Sequence, residues 1–260
     1  MNTTRPKPAV AAAGLRKTYG TRTVLDGVDL LVPQGGVFCL LGAAGAGKTT
    51  VVRLLSALSV PDCGEVRVAG HDVVREPASV RSAVGFCGLT ELDGLLTVEE
   101  NLLRTADVHR LGQDDGRSRA ADLLERFDLV GVAGALAARC SRGERRRLEL
   151  AMTVVGLPPV LLLDEPTAGL DPGDCHAVRR IIRQLADAGV TVFLATRSRA
   201  EAGALADRVA VLHGGRLVAD GMPDIEADPR RGEIGATPVR GFGRDFFAGN
   251  TAVRCVVSRC

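Results

Sequence analysis

Two short segments of this 260-residue chain carry residue types that together handle phosphate. The first is Gly42-Ala43-Ala44-Gly45-Ala46-Gly47-Lys48-Thr49, which satisfies the pattern GxxxxGK(S/T). Its glycines let the backbone wrap closely round an anion with N–H groups turned inward. A helix starting at the end of the loop adds positive potential. Lys48 can reach the β and γ phosphates of a nucleotide, and Thr49 can ligate Mg²⁺. The second segment is LLLDEPT (161–167), where an apolar run ends in two adjacent carboxylates. Asp164 suits a metal shell, through water, and Glu165 is placed to orient or activate an attacking water. An acidic pair after a strand can equally be a helix cap. Beside a complete phosphate loop the catalytic reading is the stronger one.

Both segments need strands to hold them. VFCLL (37–41) is a continuous apolar run, as expected of a strand buried on both faces, and it runs straight into the glycine-rich turn. TTVVRLLSAL (49–58) then has helical spacing. VLLLD (160–164), VTVFLA (190–195) and RVAVL (208–212) read as further strands. Asp171-Pro172 has the form of an N-cap followed by proline at the first helical position. In the helix it opens, Val178, Ile181, Ile182 and Leu185 make the buried stripe. HGG (213–215) signals a hairpin into RLVA (216–219). Residues 9–41 read as short strands with turns, and EVRVAG (65–70) as another strand.

The region from about 72 to 150 reads as mostly helical. Thr97 and Glu100 form a capping-box pattern at the head of TVEENLLRTADVHRL (97–111). Ala120, Leu123, Leu124 and Phe127 share one face of a following helix. GQDDG (112–116) is the expected turn between the two. Strands alternating with helices imply an α/β class with a parallel sheet core and a helical insertion.

Bulk properties exclude several classes. The chain is 46% hydrophobic and 25% charged, with a net charge of +2, which gives no general reason to expect nucleic acid. The run Arg145-Arg146-Arg147 reads as a solvated helix face. No apolar run reaches the roughly 20 residues of a membrane helix, and the N-terminus is too weakly apolar for a secretory signal. The seven cysteines form no CxxC pair and are odd in number, so reduced thiols are expected rather than a disulfide framework or zinc site. The stretch from 222 onward has no clear periodicity. With Phe246-Phe247 it reads as a loosely ordered terminus, or as a segment that docks a membrane partner or caps the sheet edge.

Taken together, residues 9–221 resemble the ATP-binding-cassette (ABC) transporter ATPases. The wording of RGERRRLELA (142–151) and LLTVEENL (95–102) is similar to bacterial exporters of the drug- and antibiotic-resistance type. The resemblance implies a P-loop NTPase fold: a mostly parallel sheet core, an N-terminal antiparallel β subdomain, a helical subdomain over about 85–150, and a tail at 222–260. It makes Tyr19 the aromatic that stacks on adenine, and gives Gly42, Gly45, Gly47, Lys48, Thr49 and Thr50 to the phosphates. CSRGE (140–144) resembles the family's LSGGQ signature, so Ser141 and Gly143 would face the ATP of a partner cassette. AGLDP (168–172) matches the D-loop, with Asp171. Arg197 falls at the switch position. Lys48 and Glu165 are the implied catalytic residues, Thr49 and Asp164 the implied magnesium residues. ATP and Mg²⁺ are the expected cofactors. The expected partners are a second ABC cassette, in a homo- or heterodimer, and a membrane permease subunit, at the cytoplasmic face of the cell membrane.

Three positions depart from the family. Leu89 stands where, after a strand such as VGFCG (84–88), the family's glutamine normally contacts magnesium, and leucine can do no polar work there. Arg142 replaces the first signature glycine. Ser141 and Glu144 can still form a capping box, but the arginine either clashes with the opposing phosphate or supplies a guanidinium to it. Arg197 replaces the switch histidine and cannot accept a proton as neutral imidazole can. The expectation is retained nucleotide binding with either weak hydrolysis or none.

Overall fold

The computed structural model describes residues 7–87 and 92–221; Leu89 and the tail from 222 lie outside them. The chain opens with two long strands, β1 (Val10–Tyr19) and β2 (Arg22–Val32), rather than several short ones. They are followed by β3 (Val37–Leu41), α1 (Lys48–Leu55), β4 (Cys63–Val68), β5 (His71–Asp72), α2 (Pro77–Ala83) and β6 (Val84–Phe86). The helices α3 (Val98–Val108), α4 (Gln113–Arg126) and α5 (Arg142–Thr153) come next. The chain then alternates through β7 (Val160–Asp164), α6 (Pro172–Asp187), β8 (Thr191–Thr196), α7 (Arg199–Leu205), β9 (Arg208–His213) and β10 (Arg216–Gly221).

These strands make two sheets. β2, β1, β4 and β5 form an antiparallel sheet in that order. The second sheet runs β10-β9-β3-β8-β7-β6, parallel except for β10, which returns antiparallel through the expected hairpin. The mixed α/β expectation therefore holds, including the antiparallel N-terminal sheet.

Why the parallel strands are apolar along their whole length follows from the two layers they separate. On β3, Val37, Cys39 and Leu41 join the core beneath α3–α7, while Phe38 and Leu40 face the core shared with α1 and the antiparallel sheet. β7 and β8 alternate in the same register. Phe38 stacks on Phe193 across that second core, with ring centroids 5.7 Å apart. Of the cysteines, Cys39, Cys87, Cys140 and Cys175 are free thiols.

Two parts of the helical region differ from expectation. The sequence Gln113–Gly116 is not a turn but the first turn of α4; the turn is His109–Gly112. Gly112 takes the N-cap, and Asp114 and Asp115 sit at the positive end of the helix dipole, where carboxylates stabilise a helix. The boundary near 85 falls inside β6, a strand of the main sheet too short to show a period of its own. The capping box at Thr97 and Glu100 forms as expected, with both reciprocal bonds present.

Helix α6 buries Val178, Ile181, Ile182 and Leu185 against the core, as its spacing predicts. Ile182 is fully buried. Ile182→Ala is expected to cost about 2–5 kcal/mol of unfolding free energy through lost burial and a residual cavity, measured by chemical denaturation of the purified chain.

Candidate functional site

The parallel strands bring the two chemical segments together from opposite sides of one strand. β8 lies between β3 and β7, with Leu41 opposite Thr196 and Asp164 opposite Ala195. The loop after β3 and the acidic pair at the end of β7 therefore meet at the carboxyl edge of the sheet, where open α/β sheets bind ligands.

The glycines of the loop are where close approach requires them. A Cβ at Gly42 would come within 2.6 Å of the Leu212 carbonyl oxygen. Gly47 has φ +108°, and a Cβ there would lie 2.8 Å from Leu25 and 3.1 Å from the Val24 carbonyl oxygen, both on β2. Gly47 caps α1, whose first turn contains no acidic side chain. The positive helix end is thus left for an external anion.

Lys48 is 6% exposed. Its Nζ donates to the carbonyl oxygens of Gly42 at 2.8 Å and Ala43 at 3.1 Å, and lies 3.4 Å from Glu165 Oε1. Thr49 Oγ1 donates to Asp164 Oδ2 at 2.6 Å. Asp164 Oδ1 is buried without a hydrogen-bond partner among the described residues. An unpaired buried carboxylate oxygen beside a threonine hydroxyl with free lone pairs suits a hard divalent cation or its water shell. Thr49 and Asp164 therefore fit a hard divalent cation such as magnesium. Thr50 is buried in the first turn of α1.

Glu165 adopts φ +51°, an uncommon backbone for a non-glycine residue, and its N–H donates to the Ala195 carbonyl oxygen at 2.8 Å. That bond holds the carboxylate over the loop. Its second oxygen lies 4.0 Å from Nε of Arg197, whose side chain is 65% exposed. Glu165 is thus flanked by two cations.

Ser141, Gly143 and Asp171 form a separate group at the heads of α5 and α6. Ser141 and Glu144 make the expected capping box. Asp171 caps α6 by accepting from Asp174 N at 2.9 Å. Among the described residues, no side-chain hydrogen bond or ion pair joins these three to Lys48, Thr49, Asp164 or Glu165. Tyr19 lies half-exposed at the end of β1, with Lys17 Nζ 5.5 Å from its ring centre.

The expected solvated arginine face is broken at Arg147. It is buried and pairs with Asp174 at 3.0 Å, because α5 packs its turn against the head of α6. Arg22 went unnoticed in the sequence. It follows the turn after Tyr19, and its guanidinium lies 3.9 Å from where a Cβ of Gly45 would be. A lone arginine at the start of a strand carries no motif that marks it.

The comparisons with known proteins bear on this geometry. Residues 25–168 match the family model described as ABC transporter. The chain belongs to that family. It is an ABC-type ATP-binding subunit, and its fold is that of an ABC ATPase. A daunorubicin resistance ATP-binding protein of Streptomyces coeruleorubidus is 46% identical over 83% of this chain and 69% of its own length. A Nod factor export ATP-binding protein of Paraburkholderia xenovorans is 37% identical over 94% of this chain and 79% of that protein. The matched region spans about two thirds of the resistance proteins. Among solved structures, a dimeric post-hydrolysis state of the ATP-binding cassette MJ0796 bound to ADP and Pi superposes with TM-score 0.73. It is 25% identical, over 82% of this ABC chain and 98% of that one.

Burial pushes the Cys39 thiol, behind the phosphate loop on β3, up to about 12, with the Glu201 and Glu165 carboxylates adding to the effect. A raised thiol pKa leaves little reactive thiolate at pH 8. Alkylation of Cys39 in the native ABC subunit at pH 8 is expected to be at least about 100-fold slower than for a small free thiol, followed by mass spectrometry. A second expectation concerns the metal. Asp164→Asn should weaken magnesium affinity about 10- to 100-fold, so that labelled-nucleotide binding responds to magnesium only at much higher concentration and chelation with EDTA changes it less than in the parent.

Proposed function

We propose that this chain binds Mg-ATP at the Gly42–Thr49 loop and couples its hydrolysis to substrate export through a separate membrane permease. It would do so as one half of a cassette dimer at the cytoplasmic face of the membrane. The observation that carries this reading is the cluster of Lys48, Thr49, Asp164 and Glu165 over the head of α1, where Gly47 supplies no side-chain cap. The relatives named for drug resistance and for Nod factor export support the transport direction and an antibiotic-like substrate class.

Each side chain has a definable task. Backbone N–H groups of the loop and the head of α1 receive the phosphates. Lys48 already points into the loop and supplies charge to the terminal phosphates. Thr49 and Asp164 would hold magnesium, which would neutralise charge developing on the phosphates. Glu165 orients the attacking water. Tyr19 offers its ring to the base, with Lys17 beside it. Ser141 and Gly143 face the γ-phosphate held by the partner, and Asp171 lies in the loop that meets the partner. The membrane permease is the second binding partner, and no nucleic acid is bound.

One observation favours a second reading, a hydrolysis-deficient cassette that pairs with a competent one or serves a regulatory role. Arg197 lies against Glu165 where the family has a histidine. A cation on that carboxylate competes for the oxygen that must engage water, and guanidinium cannot take a proton in exchange.

Steady-state phosphate release from the reconstituted subunit and permease separates the two. The motor reading expects release above a Lys48→Ala control, at a slow rate. Arg197→His is expected to raise that rate by about tenfold or more, given that a positioned transition-state donor is worth roughly 10²–10³. No release above the control, with nucleotide binding intact, would overturn the motor reading in favour of the second.

A further inference from the structure

The arginine at the first signature glycine has an occupation within its own chain. Arg142 opens α5, and its Nη1 donates to the carbonyl oxygen of Gly169 at 2.9 Å. Gly169 sits at φ +74° in the turn between Glu165 and Asp171, and a Cβ built there would lie 3.3 Å from the same nitrogen. The guanidinium is therefore seated on that turn. It neither clashes nor projects freely towards a phosphate.

A second contact ties the same two elements. Arg147 Nη1 pairs with Asp174 at 3.0 Å, with side-chain exposures of 11% and 22%. The Asp174 carboxylate rests on Gly143, where a Cβ would come within 1.9 Å. Asp174 N is in turn held by the Asp171 carboxylate. So α5 grips the head of α6 at Asp174 and the preceding loop at Gly169. The rest of the loop's hold comes from its own side of α6. Ala168 N donates to the Glu165 carbonyl at 3.1 Å, Leu170 N to the Thr167 carbonyl at 3.3 Å and Cys175 N to the Asp171 carbonyl at 2.9 Å. Cys175 Sγ donates to the Leu170 carbonyl at 3.7 Å, while Leu170 packs on the core.

We propose that Arg142 is a positioning residue that latches the 168–171 loop to the head of α5, so that Ser141, Gly143 and Asp171 move as one body. Its role in dimer closure rests on the function proposed above; the latch itself does not. The capping box of α5 uses Ser141 and Glu144, so replacing Arg142 leaves the helix start intact.

The test is amide hydrogen exchange on the full chain, first without nucleotide. In Arg142→Gly, amides of 168–171 are expected to exchange about three- to tenfold faster than in the parent, the worth of one exposed charge-assisted hydrogen bond. Peptides covering β3 are expected to stay unchanged. Arg142→Lys, whose ammonium can still donate to the Gly169 carbonyl, is expected to restore most of the protection. Titration with a non-hydrolysable ATP analogue then follows protection of 141–145 and 168–171. The two are expected to rise with one midpoint in the parent and in Arg142→Lys, and with separate midpoints in Arg142→Gly. Unchanged exchange at 168–171 in the nucleotide-free glycine variant overturns the latch. So does equal loss of protection in the glycine and lysine variants. If no analogue binds at all, the proposed function fails, while the nucleotide-free comparison still decides the latch.

Discussion

A lysine ammonium only 6% exposed is the constraint around which this subunit is arranged. Burying a charge costs several kcal/mol unless partners replace its water. Lys48 donates hydrogen bonds to the carbonyls of Gly42 and Ala43, and the Glu165 carboxylate at 3.4 Å balances its charge. Two acceptors come from the end of β3 and one from beyond β7, so the sheet order with β8 between them is a condition for holding the charge. Glu165 must also accept a left-handed backbone to reach it. The longest of the three contacts is that to Glu165. On the function proposed above, it is the one that an incoming phosphate would displace most readily.

The heads of α5 and α6 solve a different packing problem. Gly143 is the glycine of the signature that this chain keeps, and its lack of a side chain makes room for Asp174. Asp174 neutralises the buried Arg147. Replacing Gly143 would therefore disturb an ion pair between two helices as well as any approach to phosphate. The position kept as glycine is the one with no space, and the position that became arginine is exposed.

Much of this was legible in the sequence because it is local. The phosphate loop, the Thr97, Ser141 and Asp171 caps and the stripe of α6 depend on residues within a few positions of one another. The signals are correspondingly sharp. What escaped depends on long-range packing. Arg22 and Gly45 are brought together by the antiparallel sheet folding over the loop. Arg147 looked like part of a solvated basic run, and only the neighbouring helix buries it. The head of α4 was missed for a local reason: Gly, Gln and two Asp residues favour turns, but the two carboxylates also complement a helix dipole. β6 has no period of its own, and the family resemblance is what marks VGFCG (84–88) as a strand; its pairing with β7 defines it.

Two of the three departures from the family can now be compared physically. Arg142 and Arg197 each introduce a guanidinium, and each finds an acceptor in its own chain. The acceptors differ in kind. Gly169 offers a backbone carbonyl with no chemical task, so engaging it costs the reaction nothing and stiffens a loop. Glu165 is the one carboxylate placed to act on water, so a cation beside it works against that role. The bond to Gly169 is short at 2.9 Å, while the approach to Glu165 is long at 4.0 Å and largely solvent-exposed. An exposed pair at that distance is worth at most about 1 kcal/mol, too little by itself to lock the carboxylate. On the function proposed above, the penalty at Arg197 would come chiefly from what the side chain cannot do, which is exchange a proton as a neutral imidazole can. Such a site would keep its grip on nucleotide and be slowed or stopped only at the chemical step.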